Sequence, residues 1–337
     1  MESTLPPNSQ PKRHSSLGSL IVLVLLIVAS LLLWANHQYF VDTINFWRYQ
    51  PTSDVSAIAS KANLSDSGRF IFYASEPAVD EKAAFNQECE RKESGTAILG
   101  CYVNQRIFLY NVTDTRLDGI EEVTAAHEML HAVYERMSQS DRSSVNTLVE
   151  AEYQKLKSNP EYAERMAFYD RTEPGERDNE LHSIIGTEVA SISPELEAHY
   201  DKYFNKRSDV VGFYASYNSA FTSLANQAKA ISTKLDSINI QIKSTSDKYN
   251  ADVKTLNTDI SDFNGRAAGG SFTSQAQFNA QRDTLVTRAN TISSERDTIN
   301  GLIDQYNTLR GQYNDIVTQS NALYNSIDSS LAPAPKV

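Results

Sequence analysis

Beyond residue 208 the chain repeats an apolar residue at every seventh position, and nothing else in the sequence limits its fold so tightly. One series runs Phe221, Ala228, Leu235, Ile242, Tyr249, Leu256, Phe263, with Leu224, Ile231 and Ile238 interleaved. A second runs Phe278, Leu285, Ile292, Ile299, Tyr306, Tyr313, Ser320, Ile327, with Leu302, Leu309, Ile316 and Leu323 as its other seam. A heptad repeat keeps its apolar stripe against a partner only as a supercoiled helix. Residues 264–274 separate the series and contain three glycines, which break the helix. Two arms of about fifty residues, each roughly 75 Å long at helical rise, therefore predict an antiparallel coiled-coil hairpin over 208–330. An intermolecular coil is the alternative, and the matched arm lengths favour the hairpin. Few opposite charges occupy its flanking positions, so the sequence does not specify a protein partner for it.

The other end of the chain is just as distinctive. Residues 17–35 carry no charge, and as a helix they extend about 28 Å, close to the ~30 Å hydrocarbon core of a bilayer. Lys12 and Arg13 precede the run, which sets the N-terminus in the cytoplasm. Trp34, Tyr39, Phe40, Phe46 and Trp47 suit the far interface. A cleaved signal peptide needs a shorter apolar core and small residues at a cleavage site, and none follows convincingly. The expectation is a single-pass signal anchor over 17–35 after a disordered tail at 1–16. The bulk of the chain then lies outside the cytoplasm, at the cell envelope or cell surface. There Cys89 and Cys101 can form a disulfide, with two free buried thiols as the alternative.

Residues 36–68 read as a juxtamembrane segment and 69–207 as a compact domain, with a short disordered tail at 331–337. Strands are expected at 69–74, 96–103 and 106–112, the last two joined by a hairpin turn at Asn104-Gln105. Helices are expected at 80–90, 119–137 with Asp118 as N-cap, 141–157, 160–169, 179–191 and 195–204. The fold class is α+β, with a short mixed sheet, the 119–137 helix and further helices downstream. The formal charge of −11 leaves no basic face for nucleic acid. Two cysteines exclude an all-cysteine zinc module or an iron–sulfur cluster.

The chemistry concentrates in residues 127–131, His-Glu-Met-Leu-His, in the middle of the expected 119–137 helix. Two imidazoles at i and i+4 project from one face a turn apart, so both can bind one metal ion. Glu128 beside the first histidine is placed to act as general base toward a water on that ion. This segment resembles the HExxH zinc metalloproteases, the zincins, at His127, Glu128 and His131. The likeness implies one Zn2+ per chain, a peptide or protein substrate, and a strand before the helix that pairs with extended substrate. Residues 106–112 fit that strand. Tyr134 and Met137 replace the glycine and histidine of the metzincin branch, which excludes it.

In the gluzincin branch a downstream glutamate completes the metal site, which implies Glu180 as third ligand. Asn179-Glu180-Leu-His-Ser183 is similar to the start of a gluzincin motif, with Ile184 where that motif has aspartate. Glu188 and His182 are the alternatives. His182 otherwise reads as a catalytic donor to the developing oxyanion, a role for which Tyr169 and Tyr200 compete. The leading reading is a membrane-anchored, extracytoplasmic zinc metallopeptidase. The other is a non-catalytic surface interaction protein, with the coiled-coil hairpin as its working part and the zincin-like domain as an inactive platform.

Overall fold

The computed structural model describes residues 16–89, 98–172 and 174–329, which are mostly helical with one small sheet. The expected tails lie outside the described residues except for Ser16. The chain divides into two compact units, one of residues 1–112 and 119–215, the other of 113–118 and 216–337. The division thus falls several residues beyond the expected boundary at 208.

In the first unit, helix α1 (Ser16–Ala35) is uncharged, and its side chains from Leu20 to Leu33 are exposed. After a break at Asn36 the chain turns into α2 (His37–Arg48). No single helix among the described residues is long and apolar enough to cross a membrane. Leu20–Trp34 and His37–Arg48 pass that test only together, bent by 66°. The expected anchor over 17–35 is thus a single helix, α1, which meets the test only together with α2 beyond the break at Asn36.

Helix α3 (Ser53–Lys61) starts at a Thr52 cap whose hydroxyl accepts from the Val55 amide. Residues 69–74 lie in a helix, α4 (Asp66–Ala74), and not in the expected strand. Ser65 caps it by accepting from the Gly68 amide. Its helical turns direct Phe72 into the core while Phe70 and Tyr73 meet Phe46 of α2. The aromatic run that suggests a strand thus serves two neighbours on different sides of a helix.

The sheet has the order β1 (Ala78–Asp80), β3 (Arg106–Tyr110), β2 (Gly100–Val103), with α5 (Lys82–Glu88) after β1. β1 runs parallel to β3, with Ala78 opposite Phe108 and Asp80 opposite Tyr110. β2 and β3 form the expected hairpin. Asn104 and Gln105 have φ of 51° and 63°, the left-handed pair that a tight two-residue turn between twisted strands demands. Cys89 and Cys101 are disulfide-bonded, with Cα atoms 5.8 Å apart. Ile107, Phe108 and Leu109 are all buried, as a central strand covered on both faces requires.

Five more helices complete this unit: α6 (Ile120–Arg136), α7 (Gln139–Leu156), α8 (Pro160–Thr172), α9 (Arg177–Glu188) and α10 (Pro194–Tyr200). α11 (Arg207–Ala268) begins here and continues into the second unit, where it pairs with α12 (Gln275–Ile327). There Phe221 meets Tyr324 at 5.2 Å between ring centres, and Phe263 meets Phe278 at 5.0 Å beside the turn. Residues far apart in sequence at one end and close at the other define an antiparallel intramolecular hairpin. Ile238, Leu256, Ile316 and Leu323 are buried in its seam. Asp259–Arg288 and Lys248–Glu295 bridge the two helices at its edges.

Candidate metal centre

The site is assembled on α6 and α9. α6 starts at Gly119, whose φ of 95° suits glycine, and not at the expected Asp118. Ala125, Ala126, Met129, Leu130 and Val133 bury one side of it. That packing fixes the rotation of the helix and points His127 and His131 to the same flank, ring centres 4.7 Å apart.

α9 crosses close to α6. At Gly186 an added Cβ would lie 2.5 Å from Leu130 Cδ1 and 2.8 Å from Tyr200 Cε1, so a larger residue would hold the helices apart. The close approach places the Glu180 carboxylate between the two imidazoles. His127 Nε2 is 3.6 Å from Glu180 Oε2, and His131 Nε2 is 3.5 Å from Glu180 Oε1. Ligand atoms of all three lie within 4.8 Å of one another.

These separations have a chemical meaning. They are too long for strong hydrogen bonds, which close to about 2.7–3.2 Å. Ligands at ~2.0–2.1 Å from one tetrahedral ion sit roughly 3.3–3.4 Å apart, close to the spacing seen. Glu180 Oε2 is also buried with no hydrogen-bond partner. The donor set of two imidazoles and one carboxylate could therefore hold a metal ion.

A second layer orients the donors. Asn179 Nδ2 donates to Glu176 at 3.0 Å, which turns its Oδ1 toward His131 Nδ1 at 2.9 Å. With Nδ1 donating there, the lone pair of His131 Nε2 faces Glu180, an arrangement typical of metal-bound histidines. Ser183 Oγ stands 3.3 Å from the same Nδ1. Asn179 and Ser183 lie four residues apart, on one face of α9. The spacing is visible in the sequence, but without the helix crossing nothing connects it to His131.

Burial works to lower the His127 pKa, and the carboxylates of Glu180, Glu128 and Glu188 outweigh it, so the ring is pushed upward. Burial works to raise Glu180, and the adjacent His131 and His127 hold its carboxyl below the ordinary range.

Glu128 is buried under the edge strand. An added Cβ at Gly100 would lie 2.9 Å from Glu128 Cγ and Oε1, and 2.6 Å from Thr124 Cγ2. Gly100 thus makes the space that the Glu128 carboxylate occupies. Sequence reasoning missed it, since a strand glycine carries no chemical signal of its own.

The remaining expected residues separate cleanly. Glu188 is engaged by Arg165, whose Nη1 donates to Oε2 at 2.6 Å. His182 is completely buried, its Nε2 2.9 Å from His199 Nε2, among the rings of Tyr134, His199 and Tyr200. Burial drives its pKa well below the usual value. That placement does not suit the expected oxyanion donor, because a fully enclosed ring cannot meet a substrate. The Tyr200 hydroxyl is also buried, donating to the His182 carbonyl at 2.7 Å. Tyr169 differs, since it lies near enough to Glu180 to help hold that carboxyl below the ordinary range.

The strand expectation also changes. β3 is central, with both edges paired, whereas β2 is an edge strand of the sheet. The segment that could add an extended chain beside α6 is therefore 100–103 and not 106–112. No protein-family model, curated protein or solved structure matches this chain.

Proposed function

We propose that this chain is a zinc-dependent metallopeptidase held at a membrane through its N-terminal helices, with its working face outside the cytoplasm. The observation that carries the reading is the convergence of His127, His131 and Glu180 from two helices, with Glu128 one residue from the first ligand. In this reading His127, His131 and Glu180 hold the ion. A bound zinc ion supplies Lewis acidity and lowers the pKa of a coordinated water.

The protein's own groups do the rest. Glu128 accepts the proton of the attacking water and later delivers it to the leaving amine. The Gly100 cradle keeps its carboxylate from swinging away. Tyr169, beside Glu180, donates its hydroxyl hydrogen to the oxygen that becomes negatively charged. Substrate backbone pairs with the free edge of β2, an ordinary mode of peptide recognition. Asn179 and Ser183 keep His131 in one tautomer and one orientation.

The test is zinc content together with hydrolysis of an unfolded polypeptide, measured on wild type, Glu128→Gln, Glu180→Ala and Glu188→Ala. One zinc per chain is expected in wild type, Glu128→Gln and Glu188→Ala. Glu180→Ala is expected to lose the metal, and Glu128→Gln to lose hydrolysis with the metal still bound. A wild-type protein that takes up no zinc would overturn the enzyme reading in favour of a non-catalytic interaction protein.

A further inference from the structure

Helix α2 presents two faces of opposite purpose. Asp42 on its inner face is 4% exposed and meets Arg136 through two bonds, Nη2 to Oδ1 at 2.7 Å and Nε to Oδ2 at 2.8 Å. Phe46 packs on Phe70, and Asn45 donates to the Ala74 carbonyl at 3.3 Å. The outer face carries Phe40, Ile44 and Trp47, spaced by four and three residues, at 45%, 55% and 82% exposure. His37 and Arg48 are exposed at its two ends.

This outer stripe does not resemble ordinary exposed apolar surface. It directly continues the exposed, uncharged α1, and α2 is inclined 66° to that segment. If α1 follows the bilayer normal, α2 lies about 24° from the membrane plane, a difference that a tilt of α1 within the range usual for membrane-spanning helices absorbs. An amphipathic helix in that attitude, with aromatic residues on one face and Arg48 at its end, is suited to the boundary between headgroups and acyl chains.

We infer that the Phe40–Ile44–Trp47 face of α2 is a lipid-binding surface that seats the first unit on the bilayer. The inference rests on the proposed membrane attachment of α1 and adds a second, independent contact. Its consequence concerns the metal centre. Arg136 ends α6 five residues after His131, about 7.5 Å along the helix axis. Its guanidinium also donates to the Tyr102 hydroxyl on β2 at 2.9 Å. One side chain thus joins the lipid-facing helix, the helix with both histidines and the substrate-edge strand. A centre fixed in this way selects polypeptides presented at a set height above the membrane, such as the membrane-proximal parts of integral proteins.

The chain contains two tryptophans, Trp34 at the end of α1 and Trp47 on the proposed face. They are 80% and 82% exposed, so phenylalanine at either leaves the core untouched. The full-length protein is reconstituted into phosphatidylcholine–phosphatidylglycerol vesicles as Trp34→Phe and as Trp47→Phe. Quenching is then read with lipids brominated near the glycerol end or near the chain terminus. The surface predicts that Trp47, alone in Trp34→Phe, emits at shorter wavelength than an exposed indole and is quenched more by the shallow bromine than the deep one. Quenching of Trp34 without quenching of Trp47 overturns the lipid surface and leaves the anchor intact. Quenching of Trp47 alone supports the surface and removes the anchor. Absence of quenching at both positions overturns both.

Discussion

Gly100→Ala tests the cradle under Glu128 with one methyl group. The new Cβ would stand 2.6 Å from Thr124 Cγ2 and 2.9 Å from Glu128 Cγ and Oε1, whereas ordinary contact begins at 3.4 Å. Restoring that distance requires shifts of about 0.8 Å at Thr124 and 0.5 Å at Glu128. Overpacking of this kind costs about 1–3 kcal/mol. In the proposed enzyme, where a 1 Å misplacement costs about 100-fold, a shift of about 0.5 Å at Glu128 should lower turnover by about 10-fold. The metal ligands are not touched, so zinc content should remain at the wild-type value. Thermal unfolding, zinc content and turnover are measured on Gly100→Ala, on Thr124→Ser and on the double variant. Thr124→Ser removes the nearest methyl and keeps the hydroxyl that donates to the Ile120 carbonyl at 2.8 Å. The double variant should recover part of the lost stability and less of the lost turnover, since the clash with Glu128 persists. Wild-type stability and turnover in Gly100→Ala alone would refute the steric argument.

Further outcomes follow from other parts of the structure. Asp42→Ala leaves Arg136 buried without its carboxylate, and the first unit should lose about 3 kcal/mol in denaturant unfolding; a loss below about 1 kcal/mol would mean the pair is solvated. Burial pushes the His199 pKa down to about 4, so the folded protein keeps the ring neutral while the unfolded chain binds a proton from about pH 6.5 downward. Stability should therefore fall as pH drops from about 6.5 to about 4, by an amount on the order of 3 kcal/mol, and His199→Gln should flatten that decline. Reducing the Cys89–Cys101 bond opens a short loop, and the melting temperature should fall by the equivalent of about 2–3 kcal/mol; an unchanged melting curve in reductant would argue against any contribution from it.

The parts legible in the sequence are those where one local signal determines the outcome. Heptad spacing marked the hairpin, although α11 runs on to Ala268 and so takes in the first half of the turn expected over 264–274, and Asn104-Gln105 marked a two-residue reversal whose left-handed backbone is present. The His127–His131 interval specified a shared flank because helical geometry allows no other. What was not legible depends on tertiary crossings. The stretch 69–74 has the aromatic content of a strand, yet Ser65 capping and neighbours on different sides make it a helix. β1 is three residues long and exists only by pairing with β3, so no periodicity could reveal it. Among the three candidates for a third ligand, each a titratable residue on one helix, the choice of Glu180 over Glu188 and His182 rested on the family resemblance and not on spacing. The structure separates them by partners: Arg165 for Glu188, His199 for His182, and the two imidazoles for Glu180.

Arg207 stands in the first turn of α11 and is 3% exposed. Its guanidinium donates to the Val189 carbonyl at 2.8 Å, to Ala190 at 3.3 Å and to Glu197 at 2.6 Å, at and beyond the end of α9. The helix that begins with this residue is 62 residues long, about 93 Å at helical rise. In mechanical terms, a load on the start of α11 passes through Phe213 to Gly119 at the head of α6 and through Arg207 to the chain just past α9. An optical-trap pull on this helix would therefore reach both helices that carry the candidate ligands, α6 through its N-terminus and α9 through its C-terminal end.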